Sequence, residues 1–306
     1  MTETLKTYGN SFSTSFWDVV FRGVLFPMFD DLKHPSDTTA QVTTHVDHSE
    51  WMSTTCVFAL RSVLDLYNFF FDKLSFLLDS MLELFGTFIK QEDDSLSRIG
   101  CSCLTTLVTS NINRLSETTW DKILAFFRGL FMLSSPQFSD FESLASSATD
   151  PENPIDPVRD AVAKNLLQLL LIQTLNEIFN PESKVYEDTK AKYLLKVLDM
   201  ISQAHLSARD FNERFRKYIV TKEGRPPLFV PNLLPSHSYY FSLVELSSFL
   251  PALLLREPES SACQLRLLFR LYGDFTIADR EEARGNVELK LLRSVSRFNT
   301  NLLSFN

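Results

Sequence analysis

The sequence has little glycine and little cysteine. It contains 8 glycines in 306 residues, whereas average usage is about 7%. Turn-rich β-sandwiches and glycine-rich phosphate-binding loops are therefore disfavoured. The 4 cysteines are too few for a disulfide framework. The motifs G-x-x-x-x-G-K-[ST], G-x-G-x-x-G, G-x-S-x-G and H-E-x-x-H are missing from the sequence, so it indicates none of the nucleotide-binding or hydrolase chemistries that use them.

Long uncharged hydrophobic runs are also missing. The most apolar stretch, residues 63–89, is interrupted by Asp65, Asp72, Lys73, Asp79 and Glu83. No run therefore reaches the roughly 18 residues that a membrane span needs. The N-terminal residues lack the basic-then-apolar form of a signal peptide. We therefore expect a cytoplasmic protein.

Apolar residues at helical spacing are abundant. Hydrophobic residues make up 44% of the chain, and 27 of them are phenylalanine. From residue 57 the apolar positions recur at steps of three and four, as on one face of an α-helix; they are Val57, Leu60, Leu64, Tyr67, Phe71 and Leu74. Similar patterns predict helices at residues 77–89, from about 92 to 110, and at 120–131. Consecutive hairpins of this kind predict an all-α fold, a HEAT- or armadillo-like α-solenoid of stacked helical hairpins.

The helical pattern breaks at residues 134–157, where prolines, serines and acidic residues cluster. We predict an exposed acidic linker there. It separates an N-terminal helical-repeat segment, residues 1–133, from a C-terminal helical-repeat segment, residues 158–306. In the second segment, helices are predicted from Val158 to before Pro181, at 193–201, 211–219, 241–255 and 263–272, and weakly at 280–295, with a proline-rich loop at 224–235.

Two groups of metal-ligating residue types stand out. Cys101 and Cys103 lie on one predicted helix with no histidine near them in sequence, which favours two core thiols over a zinc site. The other group lies in a polar loop, where a solvated surface is favoured over a metal site; it comprises His34, His45, Asp47 and His48.

No catalytic constellation is visible either. His205 and His237 each lack a neighbouring acid or nucleophile in the sequence. The sequence therefore predicts no catalytic, cofactor-binding or metal-binding residue. An enzyme without a recognisable motif is the least favoured hypothesis.

The net charge is −8, from 30 basic and 38 acidic side chains, which disfavours nucleic acid as a partner. The strongest basic cluster comprises Arg209, Arg214, Arg216 and Lys217, followed by Lys222 and Arg225. A solvated helix face is the favoured interpretation. A peripheral contact with acidic membrane lipid, or with an acidic protein partner, is the alternative.

Six segments of the sequence resemble those of one family in order. They are FWDVVF with LFPMFDDLK (16–33), SEWMSTTC with AL (49–60), LSRIGCSCL (96–104), WDK (120–122), LIQTL (171–175) and ESSACQLRLLFRLY (259–272). Together they resemble the region downstream of the catalytic domain in large BIG-type, brefeldin A-sensitive Arf guanine-nucleotide exchange factors. Each motif alone is modest, but their shared order makes the resemblance specific.

The resemblance implies a function without catalysis. In that family the exchange chemistry resides in a separate Sec-seven domain, and nothing in this sequence matches it. The downstream region is implied to be a helical-repeat regulator, peripheral on Golgi and trans-Golgi network membranes and active in vesicle-mediated protein transport. The implied partners are small GTPases of the Arf and Rab type, other domains of the exchange factor, and a second copy in a homodimer.

No catalytic residue is carried over from the family. The matching residues are expected to have structural roles, in the core or between hairpins; they are Trp51, Cys56, Arg98, Trp120 and Arg270. The alternative from a different class is a stand-alone or truncated paralogue that binds membranes peripherally through the basic cluster.

Overall fold

The computed structural model describes residues 2–32, 55–91, 93–147, 157–179 and 191–224. Of these residues 91% are helical and none is in a strand, so the prediction of an all-α fold is confirmed. The chain divides into two compact units, Met1–Ile123 and Leu124–Asn306. The predicted boundary at residues 134–157 lies later in the chain than this division.

The first unit begins with two short helices, α1 at Thr2–Tyr8 and α2 at Thr14–Val20. Ser13 begins α2, because its hydroxyl accepts a hydrogen bond from the backbone N–H of Phe16 at 3.2 Å. The chain continues from α2 through a π-helical turn at Phe21–Leu25 and a 3₁₀ turn at Pro27–Leu32.

The predicted helix that begins at Val57 is divided in the structure. It forms α3 at Val57–Phe69 and α4 at Phe71–Leu74, followed by a 3₁₀ turn at Ser75–Leu77. Phe70 leaves helical geometry, with φ −107° and ψ 28°, and its buried ring lies 5.0 Å from the ring of Trp17. Packing against α2 therefore accompanies the break. The start predicted near Ser49 lies outside the described residues.

A tight hairpin follows, formed by α5 at Leu78–Ile89 and α6 at Asp94–Asn111. Asp93 caps α6, since its carboxylate accepts hydrogen bonds from the N–H groups of Ser95 and Leu96 at 2.8 and 3.1 Å. The predicted helix at 92–110 is thereby confirmed from Asp94 onward. α6 also packs against α3.

The next helix, α7 at Glu117–Leu133, confirms the predicted helix at 120–131. The division between the two units falls inside it. Its residues in the first unit include buried Trp120 and Ile123. Lys122 Nζ also lies 2.6 Å from the carboxylate of Asp79 on α5.

The second unit corrects the prediction of an exposed linker. Within the segment 134–157 the structure contains α8 at Phe138–Ser147. Phe141 is 4% exposed, and its ring lies 6.0 Å from that of Phe211 and 5.4 Å from that of Phe215. The prolines and acids suggested a linker, but Phe138 and Phe141 are three residues apart and share one helix face that packs into the core. Residues 148–156 lie outside the described residues.

Two long helices complete the described part of this unit, α9 at Pro157–Ile178 and α10 at Ala191–Glu223. The prediction for α9 is confirmed. The patterns at 193–201 and 211–219 belong to one helix of 33 residues. Gly224 follows its last residue with φ 65°, a left-handed conformation that glycine adopts without strain. Pairwise contacts join α8, α9 and α10. The elements predicted beyond residue 224 lie outside the described residues.

Candidate functional site

The predicted core thiols are confirmed. Cys101 and Cys103 are each 3% exposed, on a helix that packs against both α5 and α3. Burial raises the pKa of Cys103 to about 12 and that of Cys56 to about 11. Since the thiolate is the reactive and metal-binding form, Cys56 and Cys103 are unreactive at neutral pH.

The other metal candidates lie outside the described part of the chain. This applies to His34, His45, Asp47, His48 and His237. His205 lies on α10, but its side chain is not among those described. Within the described residues, no three His, Cys, Asp or Glu side chains are grouped so that they could hold a metal ion.

Five of the six residues of the basic cluster, all but Arg225, lie on the C-terminal half of α10, which also carries acidic residues. Arg214 is exposed, and its Nε lies 3.0 Å from the Asp210 carboxylate one turn earlier. Lys217 and Lys222 are exposed and Arg216 is half-buried. The side chain of Arg209 and the whole of Arg225 are not among the parts of the chain that the structure describes. Because Asp210 and Glu213 are exposed in the same stretch, the described face is not uniformly positive.

Most of the described motif residues contribute to the core. Trp17, Phe21, Leu25 and Phe29 recur every four residues and are all buried. Cys56 and Trp120 are buried as well, which confirms their expected structural role. Arg98 is exposed on α6 instead, and its Nε lies 2.7 Å from the Asp94 carboxylate. Trp51 and Arg270 lie outside the described residues.

The sequence interpretation missed a group of exposed apolar side chains in the same stretch of the chain, on α2 and the two turns that follow it. We call it the α2 ridge; it consists of Phe16, Val19, Val24 and Met28. Val19 is the most exposed of them, at 64%. Gly23 lies between, and a Cβ there would contact only the side chain of Val19, at 3.8 Å. A signal was present in the sequence, because apolar residues in 16–29 outnumber the positions of one buried face.

The α2 ridge has the chemistry of a protein-binding surface. On α2 and the π-helical turn, the neighbouring charges Asp18 and Arg22 pair at 2.8 Å. In the 3₁₀ turn, the exposed Asp30 lies two residues after Met28. Exposed apolar side chains grouped in this way mark interaction surfaces in soluble proteins. No helix within the described residues combines the length and the hydropathy needed to cross a bilayer.

Comparison with known proteins shows which family the sequence of this chain is similar to. Residues 166–305 match the BIG2 C-terminal domain. Brefeldin A-inhibited guanine nucleotide-exchange protein 2 of Arabidopsis thaliana is 28% identical over 253 residues, which is 69% of this chain and 14% of the relative. The Saccharomyces cerevisiae ADP-ribosylation factor guanine nucleotide-exchange factor SEC7 is 35% identical over 145 residues, 47% of this chain and 7% of the relative. The human brefeldin A-inhibited guanine nucleotide-exchange protein 1 is 24% identical over 383 aligned residues, 97% of this chain and 19% of the relative.

The chain therefore spans less than a fifth of the length of these three relatives, between 7% and 19%. No solved structure matches it. The resemblance inferred from the sequence motifs is confirmed: the chain is related to the BIG-type Arf guanine-nucleotide exchange factors and is similar to a region of them that includes the BIG2 C-terminal domain.

Proposed function

We propose that the chain is a non-catalytic regulatory region of an Arf guanine-nucleotide exchange factor, acting through binding. The observation that carries the proposal is the match of residues 166–305 to a C-terminal domain of these factors. The absence of the exchange domain's motifs from the sequence supports the same conclusion. On this proposal the chain acts in vesicle-mediated protein transport, in the cytoplasm and peripherally on Golgi and trans-Golgi network membranes.

Its mechanism is positional. Stacked helices of the HEAT or armadillo type form a rigid support that presents side chains to partners. The α2 ridge supplies the apolar contact, since burial of exposed apolar area is the main favourable term in protein association. The partners proposed are a small GTPase of the Arf or Rab type, another domain of the exchange factor, or a second copy of the chain.

Binding assays with nucleotide-loaded GTPases test this function. The 306-residue chain is immobilised, and Arf and Rab proteins loaded with GTP or GDP are passed over it. We expect retention of at least one GTP-loaded protein and weaker retention of its GDP-loaded form. If neither form binds, and light scattering shows only monomers, the proposal loses its support.

An exchange assay separates binding from catalysis. We expect the chain to leave the rate of GDP release from Arf unchanged, because the proposal assigns it no residue that reaches the nucleotide. Accelerated release by the isolated chain would overturn the non-catalytic part of the proposal while leaving the binding part intact.

A second function, peripheral binding to acidic membranes, is supported by the exposed side chains of Arg214, Lys217 and Lys222 on α10. The Asp210 carboxylate that pairs with Arg214 reduces the attraction to anionic lipid. Sedimentation with phosphatidylserine vesicles tests it with three chains: the parent chain, the Arg214→Ala, Lys217→Ala double variant, and Arg98→Ala. The Arg98→Ala variant serves as the control, because it also removes an exposed arginine paired with an aspartate. Binding that falls in salt and in the double variant alone favours this function; equal binding of all three chains contradicts it.

A further inference from the structure

Lys6 joins α1 to α3. Its ammonium nitrogen lies 2.5 Å from Asp65 Oδ2 and 5.6 Å from the centre of the Phe69 ring. Both acceptor side chains belong to α3 and remain largely exposed, at 63% for the carboxylate side chain and 56% for Phe69. A single lysine therefore engages an acid and an aromatic ring at the surface.

The rest of α1 also packs against α3, but through side chains that all remain at least partly exposed. None of the residues of α1 is buried, and Tyr8 at its end is 62% exposed. A helix of this length is not stable without its surroundings. An exposed ion pair changes an equilibrium by about fivefold or less. The attachment of α1 is thus weak compared with the packing of the core helices.

The segment that follows α1 is fixed to the core by close packing and by a hydrogen bond to its backbone. Gly9 is buried, and a Cβ there would lie 2.5 Å from Trp17 Cζ2 and 2.7 Å from Phe70 Cζ. Lys73 Nζ donates a hydrogen bond to the Asn10 carbonyl at 2.7 Å. The boundary between Tyr8 and Gly9 therefore separates a weakly attached helix from a segment fixed to the core.

A second basic side chain nearby also contacts both a carboxylate and an aromatic ring. The guanidinium carbon of Arg114 lies 5.2 Å from the centre of the Phe71 ring, and its Nη1 lies 3.9 Å from the carboxylate of Asp72. A carboxylate and an aromatic ring thus bind the same basic side chain at each of two places, which lie next to each other along α3 and α4. Arg114 also donates to the Asn68 carbonyl at 3.0 Å, whereas the described polar contacts of the Lys6 ammonium are with Asp65 alone.

We propose that α1 is a latch over a cation-binding site: the Asp65 carboxylate and the Phe69 ring form the site, Lys6 fills it from within the chain, and opening of α1 frees it for a lysine of a partner protein. A carboxylate beside an aromatic face attracts an ammonium group through both its charge and the ring quadrupole. Closing and partner binding compete for the same two groups, so a partner with an exposed lysine shifts the population toward the open form.

Hydrogen exchange tests the latch in the full 306-residue chain. Lys6→Ala and Asp65→Asn should each accelerate exchange of the amides of residues 6–8 by about twofold to fivefold, while amides of α5 and α6 keep their rates. Arg22→Ala is the matched control, because it removes an exposed pair between the π-helical turn and Asp18 of α2 and should leave these amides unchanged. The charge-swapped chain, Lys6→Asp with Asp65→Lys, should restore slow exchange.

A decalysine peptide at low salt tests the freed site. Lys6→Ala should bind it several-fold more tightly than Arg22→Ala, although both variants lose one positive charge, and adding Asp65→Asn should remove the difference. Equal binding by Lys6→Ala and Arg22→Ala overturns the cation site. Unchanged exchange at residues 6–8 in both Lys6→Ala and Asp65→Asn overturns the latch.

Discussion

Gly100 of α6 lies against Ile89 of α5 so closely that a Cβ at position 100 would be 2.7 Å from Ile89 Cγ1 and 3.0 Å from the Ile89 backbone nitrogen. The contact closes the hairpin between the two helices. Ser97, one turn earlier, donates its hydroxyl to the Ile89 carbonyl at 3.0 Å and so secures the same approach. The glycine within the segment LSRIGCSCL is therefore explained by packing.

Gly100→Ala should destabilise the first unit by about 1–3 kcal/mol, because the added methyl group meets backbone that cannot move aside. Gly129→Ala is the matched control, since a Cβ at Gly129 on α7 meets nothing within 4 Å. There the higher helix propensity of alanine should stabilise the chain by about 0.5–1 kcal/mol. Urea unfolding followed by circular dichroism measures both, and changes of the same sign would contradict the tight hairpin.

The sequence predicted the helices of this region well because their patterns are simple. The apolar positions from Val57 onward and the apolar stripe on α7 each indicate one buried face. Periodicity could not predict the break at Phe70, which depends on the ring of Trp17 from a distant part of the chain. Long-range contacts of this kind carry no local signal.

The missed α8 has a different cause. Prolines at 136, 151, 154 and 157 bracket it, and its acidic residues resemble those of a solvated linker. Only Phe138 and Phe141 indicated burial, and a pair of residues is too short a pattern to establish a helix. The rings that cover them, Phe211 and Phe215, come from α10.

Phe141→Ala distinguishes a packed helix from a linker. Loss of this buried ring should destabilise the second unit by about 3–5 kcal/mol, and α8 should become sensitive to limited proteolysis. Asp140→Ala on the exposed side of the same helix should change stability by no more than about 0.5 kcal/mol. Equal, negligible effects of the two substitutions would indicate that residues 138–147 form a linker after all.

The buried thiols predict how stability depends on pH. A thiol in an unfolded chain has a pKa near 8.5, whereas burial raises the pKa of Cys56 to about 11 and that of Cys103 to about 12. Above about pH 8.5 the unfolded chain therefore loses protons that the folded chain keeps. The free energy of unfolding should fall as pH rises, by up to about 1.4 kcal/mol per pH unit for each thiol.

Cys103→Ala should flatten this dependence between pH 8 and pH 10, because it removes one of these thiols. Ser102→Ala, the exposed neighbouring position, should leave the slope unchanged. Urea unfolding at several pH values measures both slopes. A slope that Cys103→Ala does not alter would show that the thiol is solvated in the folded chain.

The candidate binding surface was only partly predictable. Leftover apolar residues in helical repeats are expected to contact partners, but the sequence does not show which apolar residues remain outside the core. Phe16 and Trp17 are adjacent in the chain, yet the first is 47% exposed and the second is fully buried. The packing of Trp17 against Gly9, Phe21 and Phe70 separates their roles, and these are contacts that the local sequence does not show.

Val19→Asp with Met28→Asp should abolish binding of the GTP-loaded partner found in the pulldown, because two desolvated carboxylates would replace apolar contact. Stability should change little, since both side chains face solvent. Trp17→Ala, by contrast, should destabilise the first unit by about 3–5 kcal/mol. Melting curves recorded beside the binding assay separate the two effects: a double aspartate variant that stays folded and binds as well as the parent chain would move the binding surface away from α2.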